Sequence, residues 1–284
     1  MKRSARTALA VAAAGPIVLG AVSGLFYRQS QRLRRALAVD SERLVPVLHE
    51  LHSAHGPARP ITDDDGDTPA LALLGDTWLA GNEAVRPGRL IASGLSRMLE
   101  SPVRLSDQAS PSARAEDVAA QVADLLRHHG MRRSKTGPSA PRYAVVSMGM
   151  NDVIHPVTGS LSLPVLTSAI SRLQREGGYR IIVLTCPDLG GLPQVKRPLQ
   201  GVLRRSSRVL SGSQWVTTAA AGGLPVSIHQ SLAGTTRVGL LSHSGLAPST
   251  LGFQQIAATV LSRIAHDRGL VVVSTPPQSC EGEE

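Results

Sequence analysis

The chain contains very few aromatic residues: two Trp, three Tyr and two Phe make up 2% of its 284 residues. Because hydrophobic residues still reach 42%, we expect a substantial core built from Ala, Val, Leu and Ile. Little aromatic surface is left for stacking on nucleobases or sugars, and no helix-turn-helix, zinc-module or aromatic RNA-binding signature is present. We therefore expect no nucleic-acid partner.

Cysteine is also scarce. The two cysteines, Cys186 and Cys280, form neither a disulfide framework nor a metal-ligand spacing. We therefore expect neither a metal site nor another cofactor. Cys186 follows an apolar run and is interpreted as a small buried residue.

Basic residues outnumber acidic ones, with a formal net charge of +9 and a pI near 10.6. They concentrate on both sides of an N-terminal apolar segment and in three later clusters, at Arg132-Arg133, Lys196-Arg197 and Arg204 to Arg208. Such clusters fit apposition to anionic lipid head groups when a neighbouring segment anchors the chain. A solvated basic face is the simpler interpretation of any single cluster.

The N-terminal apolar segment, Ala8 to Tyr27, is about twenty residues long, close to the length of a membrane-spanning helix. A signal peptide would have a shorter apolar core, and Ala21-Val22-Ser23 is an unconvincing cleavage site. A basic cluster directly after the segment fits poorly with a buried helix of a globular domain. We predict an uncleaved single-pass anchor, and the basic flanks slightly favour a cytoplasmic C-terminal domain.

The rest of the chain divides into three further parts. Residues 28–69 are predicted to form a juxtamembrane helix, Arg28 to Leu51, and a linker; residues 70–268 form an α/β domain and 269–284 a C-terminal tail. Strand and helix candidates alternate in the domain, which predicts a parallel sheet with helices on both faces. The five strand candidates are 70–74, 103–105, 143–148, 180–185 and 225–228.

The most informative stretch is Leu71 to Gly81, which reads LALLGDTWLAG. An apolar run ends at Gly75-Asp76 and is followed by the hydroxyl residue Thr77. A hydroxyl at the C-terminal end of a central strand faces the crevice in which open α/β sheets bind ligands. The alternative is a local role, in which Asp76 bonds its own backbone and Thr77 caps the next helix.

Three later stretches follow this one in order: VVSMGMNDVIH from Val145 to His155, LTCPDLG from Leu184 to Gly190, and PSTLGF from Pro248 to Phe253. In this order and spacing, the chain resembles the SGNH hydrolase superfamily, also called GDSL-type esterases, and most closely its actinobacterial members with an N-terminal apolar segment. The resemblance implies a flavodoxin-like, three-layer α/β/α fold with a central five-stranded parallel sheet. It also implies short acyl esters, or acetylated glycans or lipids, as ligands.

The resemblance assigns the catalytic positions residue by residue. Thr77 stands where the family has its nucleophilic serine, and with Ser112 and Asn151 it occupies the three positions of the oxyanion donors. Ser244 and Ala247 stand where the family has an aspartate and a histidine base. Ala247 cannot accept a proton and Ser244 cannot hold an imidazolium by charge, so both supporting members of the triad are absent.

Other histidines could replace the missing base. His243, in the same predicted loop as the degraded triad positions, is the preferred substitute. His155 would lie at the rim of the pocket with Asp76, and His229 follows a short apolar strand candidate. For each histidine, a solvated or locally bonded loop side chain is the simpler interpretation.

Three functions remain open. The favoured one is a membrane-anchored, SGNH-like protein that has lost ordinary serine-esterase activity and keeps its pocket for binding or scaffolding, because loss of the base costs a triad orders of magnitude in rate. The second is an active acyl or acetyl ester hydrolase that uses Thr77, with His243 as base and Asn151 as oxyanion donor. The third is a structural membrane protein whose basic faces bind anionic lipid.

Overall fold

The computed structural model describes residues 25–36 except 26 and 34, 46–129 except 63, 64, 66 and 83, 140–154, 162–228 and 239–270. Strands and helices alternate along this part of the chain. The strands are β1 (Leu48–His52), β2 (Arg59–Pro60), β3 (Ala70–Gly75), β4 (Val103–Asp107), β5 (Arg142–Ser147), β6 (Arg180–Thr185) and β7 (Leu224–Ser227). The α-helices are α1 (Thr77–Ala80), α2 (Pro87–Leu99), α3 (Ala115–His129), α4 (Met150–Ile154), α5 (Ser162–Arg175), α6 (Leu199–Ala220) and α7 (Thr250–Asp267).

The described strands form one seven-stranded sheet in the order β2-β1-β4-β3-β5-β6-β7. The five strands from β4 to β7 in this order are parallel to one another, whereas β1 pairs antiparallel with both β4 and β2. The predicted α/β architecture with a parallel sheet is therefore confirmed. The predicted count of five strands is wrong for the whole sheet, because two antiparallel strands extend one edge.

These two extra strands come from the segment that the sequence predicts to be a helix and a linker. Residues 27–33 are helical, but β1 pairs along its whole length with β4, from Leu48 opposite Asp107 to His52 opposite Val103. Without β1, the edge of β4 would present unpaired backbone groups. The folded domain therefore begins before residue 70, and the predicted boundary is corrected.

The core lies on both faces of the sheet. Successive side chains of β3 alternate between two apolar clusters, with Leu71 and Leu73 in one and Ala72 and Leu74 in the other, as the period of two along a strand requires. Helices α2, α6 and α7 cover the first face, and α3 and α5 cover the second. Burial on both faces explains why the central strands β3, β5 and β6 read as nearly continuous apolar runs.

The predicted membrane anchor falls almost wholly outside the described part of the chain, which includes only Leu25 and Tyr27 of it. Among the described helices, none combines the length and the apolar character needed to span a bilayer. The C-terminal tail lies outside the described residues after Leu270. The anchor accordingly stays a prediction.

Candidate functional site

The candidate site lies where the strand order of the sheet reverses. Strand β3 has β4 on one side and β5 on the other, and the crevice outside the carboxyl ends of strands at such a switch point is where open α/β sheets bind ligands. Thr77 follows β3 and Asn151 follows β5. The fold therefore brings together two residues that lie 74 positions apart in the sequence, and both are buried.

The turn after β3 requires a glycine. Gly75 has a φ of 135°, and a Cβ at this position would lie 1.8 Å from the main-chain oxygen of Ser147 at the end of β5. The same oxygen accepts a hydrogen bond from the Asp76 N–H at 3.1 Å. The close approach of the two strand ends fixes the position of the residues that follow.

Asp76 links the turn after β3 to the residues at the end of β5. Its carboxylate accepts hydrogen bonds from the Trp78 N–H at 3.2 Å, the Ser147 hydroxyl at 3.0 Å and the Met150 N–H at 3.3 Å. Burial raises the pKa of Asp76 to about 6, against these hydrogen bonds, which lower it. Asp76 is thus a buried structural carboxyl beneath the crevice, and it does not occupy the rim position predicted for it.

Thr77 and Asn151 donate hydrogen bonds to the same atom. The Thr77 hydroxyl donates to the main-chain oxygen of Pro111 at 2.5 Å. The Asn151 side-chain amide donates to that oxygen at 3.1 Å and to the oxygen of Ala113 at 2.8 Å. One backbone carbonyl therefore satisfies both the hydroxyl and the amide that the resemblance assigns to catalysis.

The loop that supplies this carbonyl is a turn held to the end of β3. The Ser110 N–H donates to the oxygen of Gly75 at 2.9 Å, and the Ala113 N–H donates back to Ser110 at 3.0 Å, which closes a four-residue turn with proline at the second position, where its fixed φ fits. Ser112, the predicted third oxyanion donor, is exposed at this turn.

Two groups that take part in this arrangement, one side chain and one main-chain oxygen, were not identified from the sequence. Asp152 is buried and accepts a hydrogen bond from the Ala115 N–H at 3.3 Å, which holds the start of α3 against α4. Its place directly after Asn151 in a Gly-x-Asn-Asp stretch was the available signal. No sequence signal identified the oxygen of Pro111, because every residue has a main-chain carbonyl.

Ser244 and Ala247, at the positions that the resemblance assigns to the aspartate and the histidine, are hydrogen-bonded within their own loop. The hydroxyls of Ser244 and Ser242 are hydrogen-bonded at 2.8 Å, and the Ser244 hydroxyl accepts from the Leu246 N–H at 3.3 Å. The oxygen of Ala247 accepts from the Ser242 N–H at 2.8 Å. His243 is exposed, while His155 and His229 lie outside the described residues.

No group of three or more His, Cys, Asp or Glu side chains that could hold a metal occurs in the described part of the chain. A cleft of about 410 Å³ opens at the opposite end of the sheet, where β5 and β6 begin, between Arg142, Arg175 and Arg180. This cleft is remote from Thr77, so it does not belong to the candidate site.

Comparison with known sequences identifies a relative in Mycobacterium tuberculosis. The chain is 30% identical over 167 residues to the GDSL-like esterase Rv1075c, a match that covers 57% of this chain and 50% of that protein. The chain thus spans about half the length of the curated relative it matches. No family model matches the chain.

Solved structures with the same fold cover most of the described domain. The lipase/acylhydrolase from Enterococcus faecalis superposes with a TM-score of 0.51 at 19% identity, over 70% of this chain and 97% of that one. The acetylxylan esterase Axe2 from Geobacillus stearothermophilus superposes with a TM-score of 0.53 at 14% identity, over 70% and 95%. At such identities, these structures establish the fold alone.

Proposed function

We propose that this chain, which belongs to the SGNH hydrolase superfamily, lacks ordinary serine-esterase activity and acts as a membrane-anchored binding or scaffolding protein. The observation that carries the proposal is the shared acceptor of Thr77 and Asn151. The two side chains that would attack and stabilise an acyl group are both bonded to the oxygen of Pro111.

Among the described residues, the hydrogen-bond partner of the Thr77 hydroxyl is a peptide oxygen and not a base. Nucleophilic attack requires a neighbouring group that takes the hydroxyl proton, and Thr77 instead donates to a peptide oxygen, which does not hold a proton near neutral pH. The additional methyl group of threonine also makes attack more crowded than it is for serine. The arrangement therefore leaves Thr77 as a buried hydrogen-bond donor.

The amide of Asn151 has no hydrogen left for an oxyanion. A side-chain amide nitrogen carries two N–H donors, and those of Asn151 point to the oxygens of Pro111 and Ala113. Stabilisation of a developing oxyanion requires donors aimed at the position that it will occupy, and loss of one such donor costs about 10²–10³-fold in rate. The loop would have to move before Asn151 could contribute.

The positions of the base and its orienting acid support the same proposal. Ala247 offers no proton acceptor in its side chain, and the hydroxyl of Ser244 is bonded to its neighbours Ser242 and Leu246. Removal of the base alone reduces triad catalysis by orders of magnitude even when the oxyanion site is intact. In this chain, the nucleophile, the oxyanion site and the base are all altered.

Membrane attachment is the second part of the proposal. It is supported by the apolar segment Ala8 to Tyr27 and the basic residues on both of its sides. We expect a single-pass anchor, with the domain on the cytoplasmic side as the slightly favoured orientation. A small ester or an acylated molecule close to the membrane is the expected ligand of the crevice.

The competing function is hydrolysis of acyl or acetyl esters by Thr77, with His243 as base. The name of the M. tuberculosis relative, a GDSL-like esterase, favours it. The exposure of His243 to solvent argues against it, because this histidine would have to act as the base. A structural lipid-binding protein is the third possibility, and it differs in predicting that changes in the crevice have no effect on function.

Hydrolysis of short-chain p-nitrophenyl esters by the full chain in detergent tests the proposal. The wild-type chain is compared with Thr77→Ala, and the relative from M. tuberculosis serves as the positive control. We expect both forms of this chain to remain at the background rate while both are folded by circular dichroism. A wild-type rate above background that disappears in Thr77→Ala would establish hydrolysis and overturn the proposal, and His243→Ala would then test the base.

A further inference from the structure

The outward face of α6 exposes an unusual number of large apolar side chains. Val202, Val209, Trp215 and Val216 are 49%, 64%, 44% and 66% exposed. The opposite face of the helix packs on the domain through buried residues such as Leu199 and Leu203. Helix α6 is therefore buried on one side only, and its free side mixes large apolar side chains with polar ones, unlike the uniformly polar face expected of a solvated helix.

The exposed valines are arranged in a line. Val202, Val209 and Val216 follow one another at intervals of seven residues, or close to two helical turns, so they form one stripe along the helix. Trp215 lies on the same exposed side. Together these four residues are called the α6 stripe below. Its regular repeat over three valines distinguishes it from isolated apolar residues, which are common on protein surfaces.

Exposed basic residues accompany the α6 stripe. Lys196 and Arg197 precede the helix and Arg205 and Arg208 lie on its outer side, with Arg208 only 3.9 Å from the carboxylate of Asp188. Cations near a helix N-terminus oppose the helix dipole, and the first turn of α6 contains no acidic residue. Lys196 and Arg197 therefore do not stabilise the helix itself.

The start of α6 lies beside the end of the predicted membrane anchor. The side-chain amide of Gln29 donates to the oxygen of Arg197 at 2.8 Å and accepts from the Leu199 N–H at 3.3 Å. Leu33, one turn further along the same helical segment, is buried in the core. The chain thus leaves the predicted span at Tyr27 and immediately contacts the basic end of α6.

We propose that the α6 stripe and its basic residues lie on an anionic lipid surface. Valine and tryptophan side chains enter the interface between head groups and acyl chains, where tryptophan is favoured, and Lys196, Arg197 and Arg205 bind the head groups. The contact between Gln29 and the start of α6 brings this face to the membrane. The inference rests on the anchoring part of the proposed function and is independent of the loss of hydrolysis.

Trp215 provides a probe for this contact. The chain has two tryptophans, and the other one, Trp78, is buried in the core. The full chain is added to preformed vesicles of phosphatidylcholine with or without phosphatidylglycerol, made with lipids brominated near the head-group end of the acyl chain. Flotation of the vesicles measures attachment, and quenching of tryptophan emission measures docking of α6.

Three variants accompany the wild-type chain. Trp215→Phe removes the probe. Arg205→Glu with Arg208→Glu reverses the charge beside the stripe, and Arg127→Glu is the matched control, because Arg127 is a well-exposed arginine of α3 on the opposite face of the sheet. Each basic residue near an anionic surface contributes about fivefold in affinity, so the double variant is expected to weaken docking by well over tenfold and the control to leave it unchanged.

The expected result is quenching that requires phosphatidylglycerol, is lost in Trp215→Phe and is weakened only by the α6 charge reversal. Flotation without quenching would retain the anchor and overturn the docking surface. Equal quenching without phosphatidylglycerol would overturn the role of the basic residues, and absence of both signals would overturn anchor and docking together. Shielding of Trp215 that grows with protein concentration in the absence of lipid would assign the stripe to a second copy of the chain.

Discussion

Asp76 makes the stability of this protein sensitive to pH. Burial raises its pKa from an ordinary 3.8 to about 6, although the Trp78 N–H, the Ser147 hydroxyl and the Met150 N–H all favour the charged form. Between these two pKa values the folded chain binds more protons than the unfolded chain. The free energy of unfolding therefore falls as the pH rises from about 4 to about 6, by the sign of proton linkage.

The size of this effect follows from the difference between the two pKa values. Roughly two pKa units correspond to about 3 kcal/mol between the acidic and the neutral end of the window. Asp76→Asn removes the ionisation and with it this share of the pH dependence. Because asparagine has a single acceptor oxygen, the variant also loses at least one hydrogen bond at every pH, so the diagnostic quantity is the slope with pH.

Denaturant unfolding in detergent at about pH 4.5 and about pH 7.5 measures the slope. We expect the difference between the two conditions to be smaller by about 2 kcal/mol in Asp76→Asn than in the wild-type chain, because the unfolded chain has already lost most of this proton at about pH 4.5. Asp107, whose pKa is also raised to about 6 by burial, retains its own share in both. Glu116→Gln, at an exposed carboxylate of α3, is the matched control. An unchanged slope in Asp76→Asn would refute the assignment of a protonated Asp76 at acidic pH.

Two further substitutions test the packing around the site. Gly75→Ala places a Cβ 1.8 Å from a main-chain oxygen of β5, so the folded protein should fail to accumulate. Gly212→Ala is the control, because a Cβ there meets open space. In thermal unfolding it should stabilise α6 by up to about 1 kcal/mol. Arg86→Ala leaves the buried carboxylate of Asp107, 3.0 Å away, without its charge partner, so the free energy of unfolding should fall by about 3–5 kcal/mol at neutral pH. At the exposed Arg127, substitution by alanine should lower it by under about 1 kcal/mol. Equal losses in the two variants would contradict the difference in burial.

The parallel part of the sheet could be predicted from the sequence because its strands are buried on both faces. The central strands of this part are nearly continuous in apolar residues, as in 70–74 and 180–185, and glycine, proline or polar residues separate them from the helices. Strand β1 could not be predicted in this way. Its sequence mixes Leu48 and Leu51 with polar residues, and its conformation depends on pairing with β4, which lies about 50 residues further along the chain.

The sequence also singled out Thr77 and Asn151, which the fold brings together, because a glycine turn after a strand and a Gly-x-Asn-Asp stretch have local signatures. The sequence could not show which groups these residues bind. The acceptor for Thr77 and Asn151 is the oxygen of Pro111, whose position depends on a turn fastened to the end of β3. Any residue at position 111 would carry a carbonyl oxygen, so only the three-dimensional path of the loop could identify this contact.

The altered positions form a physically consistent set. A buried amide or hydroxyl must find a hydrogen-bond partner, and here the chain itself supplies the acceptor, because the oxygen of Pro111 accepts from both Thr77 and Asn151. A carboxylate at position 244 would lack a histidine to hold, since position 247 is alanine, and serine there is satisfied locally by Ser242. Active sites generally sacrifice stability for function, so the proposed loss of hydrolysis predicts the opposite character, in which the hydrogen bonds of Thr77, Asn151 and Ser110 hold the ends of β3 and β5 to the loop that follows β4.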